Sequence, residues 1–124
     1  MMDVSGAVME ASAPLASVER PIDLVHLARM TFGDRGLERE VLTLFDRQAG
    51  LLMARMEAAA AAEIPMLAHT LTGSARGIGA WRVARAAEAV ELACDTGEFD
   101  AAVKTLRAST DEARALIAEL LRAH

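Results

Sequence analysis

Residues 99–120 have the sequence FDAAVKTLRASTDEARALIAEL, and this stretch carries the clearest structural signal in the chain. Its apolar and small side chains recur at alternating intervals of four and three residues, at Phe99, Val103, Leu106, Thr110, Ala113, Ile117 and Leu120. That alternation puts them along one stripe of a helix, as in the seam between packed helices. The stretch therefore predicts a long helix that belongs to a bundle.

Two helices are predicted near the start of the chain from their capping residues. The first is expected to begin after Asp23, a good N-cap, and to stop near Gly33. The second is expected to follow the N-cap Asp34 and to run from Leu37 to Met56.

Two more helices are predicted between these and the seam. Pro65 suits the first turn of the third helix, where its missing N–H does no harm, and Gly77 and Gly79 end or loosen that helix. The fourth is expected over about residues 80–95 and stops at Gly97.

The fold class predicted from these elements is all-α, because no stretch shows the alternation typical of a strand. We expect an antiparallel four-helix bundle with a short additional N-terminal helix laid across one end. The bundle domain is assigned to residues 21–124. Residues 1–20 are rich in Ala and Ser and contain Pro14, so they are expected to be a flexible or loosely docked segment.

Composition excludes several classes of protein. A chain of 124 residues is one domain, and its net charge of −5 argues against nucleic acid as a partner. The single cysteine, Cys94, is expected to be a buried thiol and implies no disulfide framework. No apolar run approaches the roughly 18–20 residues needed to cross a bilayer, and no signal peptide is evident. We therefore expect a cytoplasmic protein that does not bind membranes.

The run HTLTGSAR, residues 69–76, contains a histidine that the predicted helix exposes. The apolar side of this helix is expected at Leu67, Leu71, Ser74 and Ile78. At about 100° per residue, His69 lies roughly 160° from the centre of that cluster and shares its face with Thr72, Gly73 and Arg76. A glycine inside a helix costs about 1 kcal/mol relative to alanine, so Gly73 suggests that something approaches His69 closely. These residues predict chemistry on His69.

The spacing His-x-Leu-x-Gly-Ser-Ala, followed by Gly-Ala at residues 79–80, resembles the histidine phosphotransfer (HPt) domain family. The resemblance extends from about Ile22 to the C-terminus. Further stretches that resemble the family are Asp23-Leu24, Phe32-Gly33-Asp34, Leu44-Phe45, Ala84-x-x-x-Glu88-x-x-Glu91 and Gly97-Glu98-Phe99. One departure is that the family usually has lysine three residues after the histidine, where this chain has Thr72.

The resemblance implies that His69 is a phosphoacceptor that exchanges phosphoryl groups with aspartates of response-regulator receiver domains. It also implies a hybrid or sensor histidine kinase as a partner, and a monomeric carrier. Neutral imidazole is a nucleophile near neutral pH, and a receiver brings its own Mg²⁺. The chain has no nucleotide-binding loop and no acidic metal cluster. We therefore expect a carrier with no intrinsic kinase activity, no metal and no cofactor of its own.

Several residues are expected to support His69. Glu91 is the best candidate to accept a hydrogen bond from the ring, the alternative being a plain surface carboxylate. Arg76 is expected to supply the positive charge that Thr72 does not, although an arginine on a solvated face needs no explanation. Trp81 either packs over the helical turn or belongs to a docking surface, while His26 and His124 are expected to have no role.

The apolar residues that begin the third helix suggest a rim on which a partner docks, namely Ile64, Pro65 and Met66. The alternative is staple packing against the second helix. The alternative function for the whole chain is a non-catalytic helical-bundle adaptor in which His69 is incidental.

Overall fold

A computed structural model describes residues 20–123, which form five α-helices and no strand. In chain order the helices are α1 (Leu24–Met30), α2 (Arg35–Ala58), α3 (Ile64–Ile78), α4 (Trp81–Ala93) and α5 (Phe99–Arg122), with a short 3₁₀ turn at Ala61–Glu63 before α3. The prediction of an all-α bundle with a short additional helix is confirmed. The expectation for residues 1–20 falls almost entirely outside the described residues.

The four long helices pack antiparallel to their neighbours. Ion pairs join Asp46 to Arg114 and Glu57 to Arg107, so α2 and α5 run in opposite directions. Only Gly79 and Ala80 separate α3 from α4, and so short a link makes these helices an antiparallel hairpin.

The capping residues act as the sequence predicts. The carboxylates of Asp23 and Asp34 accept hydrogen bonds from the backbone N–H groups of His26 and Leu37, each at 3.0 Å. Gly79 is the C-cap of α3 with a φ of +86°, a left-handed conformation that favours glycine. The helices α1 and α4 end slightly earlier than expected, at Met30 and Ala93, and Gly77 remains inside α3.

The seam along α5 is confirmed. Its fully buried residues are Leu106, Thr110, Ala113 and Ile117, and the other seam positions are half-buried. The helix α2 also buries an apolar stripe in the core. Its buried residues are Leu42, Phe45, Ala49, Leu52, Met53 and Met56, while Leu37 and Leu44 are exposed. Cys94, expected to be buried, is half-buried.

The short helix α1 is fixed to the end of the α3–α4 hairpin. The Asp23 backbone N–H donates to the Gly79 carbonyl at 2.8 Å, and the Trp81 indole N–H donates to the Asp23 carboxylate at 2.9 Å. His26 Nε2 lies 3.1 Å from the Gly77 carbonyl oxygen, and its ring meets that of Trp81 edge-on at a centroid distance of 4.9 Å. His26 was expected to have no role, yet it joins α1 to α3. Trp81 packs on α1.

Two kinds of feature are missing from the part of the chain that the structure describes. None of its helices has the length and apolar character that crossing a bilayer requires. Among residues 20–123, no three His, Cys, Asp or Glu side chains are grouped as metal ligands.

Candidate functional site

His69 lies in the middle of α3 and projects into solvent, with 78% of its side chain exposed. Its Nδ1 is 3.2 Å from Oε1 of Glu91 on α4, whose side chain is 25% exposed. Because a carboxylate can only accept hydrogen bonds, this contact places the proton of the neutral imidazole on Nδ1. The lone pair of the ring is then on Nε2. The site therefore presents a nucleophilic nitrogen on an exposed ring whose orientation is fixed by a carboxylate.

Thr72 does not share the exposed face of His69, contrary to expectation. It is 3% exposed, and its hydroxyl lies 3.0 Å from the Ala68 carbonyl oxygen and 3.3 Å from Oε2 of Glu91. The physical reason is that α3 packs against α4 as well as α2, which buries its small residues. The fully buried residues of α3 are Ile64, Ala68, Leu71, Thr72, Ala75 and Ile78, whereas Leu67 and Ser74 are only half-buried.

Gly73 is exposed beside His69, one helical turn further along α3. A Cβ atom built at Gly73 would have no neighbour within 4 Å. Packing within the chain therefore gives no reason for a glycine here, although a glycine inside a helix costs about 1 kcal/mol relative to alanine. The open space next to the imidazole is available to another molecule.

Arg76 is exposed, as expected, but its guanidinium is engaged by another residue. Its Nη2 lies 3.2 Å from Oε2 of Glu88 on α4, and both side chains are about half exposed, at 55% and 50%. An ion pair with this exposure is weak, so the guanidinium can exchange Glu88 for another anion at little cost. Arg76 is thus on the same helix as His69, but its guanidinium contacts Glu88 of α4.

The three residues expected to form a docking rim behave differently from one another. Ile64 is buried at 7% exposure and cannot line an exposed rim, because it packs into the core of the bundle. Pro65 is half-buried, and Met66 is 73% exposed one turn before His69. Leu92, which follows Glu91 on α4, is 79% exposed and was not singled out from the sequence. Its position outside the apolar stripe of α4 is the signal that could have identified it.

Comparisons with known proteins agree with this geometry. Residues 38–123 match the family model of the Hpt domain. The fold is similar to that of the histidine phosphotransferase ShpA from Caulobacter crescentus, with a TM-score of 0.70 and 26% sequence identity, over 83% of this chain and 92% of that one. The search of curated proteins found no significant match. Because the family model spans well over half of its length, the chain belongs to the Hpt domain family, whose members carry phosphoryl groups in phosphorelays.

Proposed function

We propose that His69 is the phosphoacceptor of this protein, and that it exchanges a phosphoryl group with aspartates of response-regulator receiver domains. The observation that carries the proposal is the exposed imidazole whose Nδ1 lies 3.2 Å from Glu91 Oε1. This arrangement leaves Nε2 with a free lone pair on a ring that another protein can reach.

The transfer step follows from this tautomer. The Nε2 lone pair attacks the phosphorus of an aspartyl phosphate, a P–N bond forms, and the P–O bond to the aspartate breaks so that its carboxylate leaves. The ring then carries a positive charge, since Nδ1 still holds its proton. The Glu91 carboxylate lies beside that proton and stabilises the charge. Return of the phosphoryl group to a second aspartate reverses these bond changes.

The receiver domain supplies the rest of the chemistry. Phosphoryl transfer depends mainly on positioning and on stabilising the charge of the phosphoryl oxygens, which the Mg²⁺ and the lysine of a receiver provide. This chain therefore needs no metal, no cofactor and no kinase activity of its own. Its other partner in the relay is a hybrid or sensor histidine kinase, and we expect a monomeric carrier in the cytoplasm.

Surfaces beside His69 suit the approach of a receiver. Gly73 leaves open space next to the ring, and Met66 on α3 and Leu92 on α4 expose apolar side chains. Exposed apolar side chains next to polar groups are typical of protein interfaces.

The test is transfer from a receiver that carries a phosphoryl group on its aspartate. The wild-type protein should gain a phosphate that is labile in acid and stable in base, as a P–N bond predicts, and His69→Gln should gain none. His26→Gln is the matched control, since it changes a histidine elsewhere in the chain and should still accept phosphate. If His69→Gln accepts phosphate as readily as the wild type, the assignment is wrong. If the wild type accepts none from any receiver of its own cell, the alternative of an adaptor with an incidental His69 is favoured.

A further inference from the structure

The side chains of His69 and Thr72 contact different oxygens of one carboxylate. Nδ1 of His69 lies 3.2 Å from Oε1 of Glu91, and the hydroxyl of Thr72 lies 3.3 Å from Oε2. The imidazole is on the outer side of this carboxylate, and the hydroxyl is in the packed interface between α3 and α4. Glu91 is therefore held between an exposed group and a buried one.

We propose that Thr72 is a positioning residue for phosphotransfer, which acts on His69 through Glu91. Its hydroxyl donates to Oε2 and so holds Oε1 against the Nδ1–H of the imidazole. The inference rests on the proposed function, because that function supplies the reaction in which the ring takes part.

A direct contact between Thr72 and the transferred phosphoryl group is excluded by burial. Thr72 is 3% exposed, and its hydroxyl points to α4 rather than to the solvent in which a receiver would arrive. Thr72 therefore does not replace, by its own contact, the cationic side chain that the family usually has at this position.

The single proton of the hydroxyl has two acceptors within reach. One is the Ala68 carbonyl at 3.0 Å, and the other is Glu91 Oε2 at 3.3 Å. The carbonyl four residues earlier in a helix already receives a backbone N–H. The carboxylate is charged, and hydrogen bonds to charged acceptors are roughly twice as strong as neutral ones. The Thr72 hydroxyl therefore donates its hydrogen bond preferentially to the Glu91 carboxylate.

A carboxylate at this position benefits from a second contact. Glu91 is a flexible side chain with access to water, and ordering such a side chain costs conformational entropy. A donor on Oε2 restricts the rotamers of Glu91 before the receiver arrives. The imidazole then keeps its proton on Nδ1 for a larger fraction of the time.

The experiment compares Thr72→Val with Thr72→Ser and Thr70→Val. Valine keeps the branched shape of threonine without the hydroxyl, while serine keeps the hydroxyl. Thr70 is the matched control, because its hydroxyl donates to the carbonyl four residues earlier, Met66 O at 3.1 Å, on the exposed side of α3. Each variant is measured in two ways: the tautomer of the His69 ring in the unphosphorylated protein, from ¹⁵N NMR shifts, and the rate of transfer from a phosphorylated receiver.

We expect Thr72→Val to lower the fraction of His69 with its proton on Nδ1. We also expect it to slow transfer about two- to tenfold, the range that the loss of one ordinary hydrogen bond produces. Thr72→Ser should restore both, and Thr70→Val should change neither. In a Glu91→Ala background, Thr72→Val should have no further effect on the tautomer.

A wild-type tautomer population and transfer rate in Thr72→Val would overturn the inference, and so would a loss of the same size in Thr70→Val. The tautomer measurement needs no phosphate, so it separates this failure from a failure of the proposed function. If the proposed function is wrong, wild-type His69 takes no phosphate at all, whatever the tautomer shows. If only the inference is wrong, the wild type and Thr72→Val take phosphate equally well.

Discussion

The two histidines of residues 20–123, His69 and His26, use opposite ring nitrogens. His69 directs Nδ1 to the Glu91 carboxylate at 3.2 Å, whereas His26 directs Nε2 to the Gly77 carbonyl at 3.1 Å. A carboxylate and a carbonyl both act only as acceptors, so each fixes the neutral tautomer of its ring. His69 carries its proton on Nδ1, and His26 carries its proton on Nε2.

The difference shows what separates the proposed phosphoacceptor from a structural histidine, although both rings contact the α3–α4 hairpin. A nucleophilic ring needs a lone pair that solvent or a partner can reach, and the exposed His69 offers Nε2. The Nε2 of His26 is committed to the backbone of α3, and its ring packs against Trp81. Residue type alone does not distinguish the two sites, because the partner atoms and the burial decide the role.

Replacement of each histidine by alanine gives the largest expected contrast. His69→Ala should abolish phosphate acceptance and change the free energy of unfolding by less than about 0.5 kcal/mol, since it alters an exposed side chain. His26→Ala should keep acceptance and lower stability by about 1–2 kcal/mol, because a hydrogen bond and an aromatic contact are lost. Transfer assays and urea unfolding of both variants test this. Equal losses of stability in His69→Ala and His26→Ala would contradict the assignment of a structural role to His26 alone.

Replacing Gly73 or Gly77 by leucine tests the difference between the surroundings of His69 and those of His26. Gly73 lies one turn from His69, and Gly77 provides the carbonyl that His26 uses. A Cβ atom at either would meet no atom within 4 Å, so both substitutions should raise stability by up to about 1 kcal/mol. Gly73→Leu should also block transfer, because the new side chain fills the space beside the imidazole.

Gly77→Leu is the control, since this position is about 12 Å further along the helix from His69. It should retain most of the transfer rate. Unimpaired transfer by Gly73→Leu would mean that no partner needs the space beside the ring.

Replacement of Arg76, which is near His69, should have a smaller effect on phosphotransfer than replacement of His69 itself. Charge-assisted hydrogen bonds to an anion are worth roughly 1.5–3 kcal/mol, so Arg76→Ala should slow transfer or shorten the lifetime of phosphohistidine about tenfold or more. Glu88→Gln should act in the opposite direction, because it removes the carboxylate that holds the guanidinium at 3.2 Å. Transfer rates and hydrolysis of the isolated phosphoprotein measure both effects. Wild-type values in Arg76→Ala would assign the cationic role to the receiver alone.

The smallest expected effect concerns the pH dependence of stability, and it involves Asp23, the carboxylate near His26. The Trp81 indole N–H, followed by the His26 backbone N–H, lowers the pKa of Asp23 below its ordinary value of 3.8. The unfolded chain therefore binds a proton at Asp23 more readily than the folded chain. This contribution to stability is present above about pH 4 and is lost as the pH falls further. Asp23→Asn keeps an N-cap but has no such proton, so its urea midpoint should fall less between pH 5 and pH 3.

Local patterns in the sequence predict much of this molecule. Asp23 and Asp34 act within three residues of their own positions, and the seam of α5 repeats along one helix. The exposure of His69 follows from the same kind of pattern. The caps, the seam and the exposure of His69 each depend only on residues within a few helical turns of one another. Helical periodicity describes the sequence over that distance.

The contacts that the sequence could not predict join distant residues. The His26–Gly77 contact spans 51 positions and the Asp23–Trp81 contact spans 58. Thr72 was misplaced for a related reason. A helical wheel centred on Leu67, Leu71, Ser74 and Ile78 leaves out the buried Ala68 and Ala75. Close packing against α4 is what buries Thr72.

The two-residue link between α3 and α4 limits where this chain can tolerate inserted residues. Gly79 and Ala80 set the register in which Glu91 meets His69. One inserted residue would change where α4 starts relative to α3, and each helical position by which Glu91 shifts turns its side chain by about 100° around the α4 axis. Helical content and an exposed His69 would survive such an insertion, but the carboxylate would face elsewhere. In this hairpin, loop length is thus part of what builds the proposed phosphoacceptor site, and we expect insertions here to be far less tolerated than in the longer link before α5.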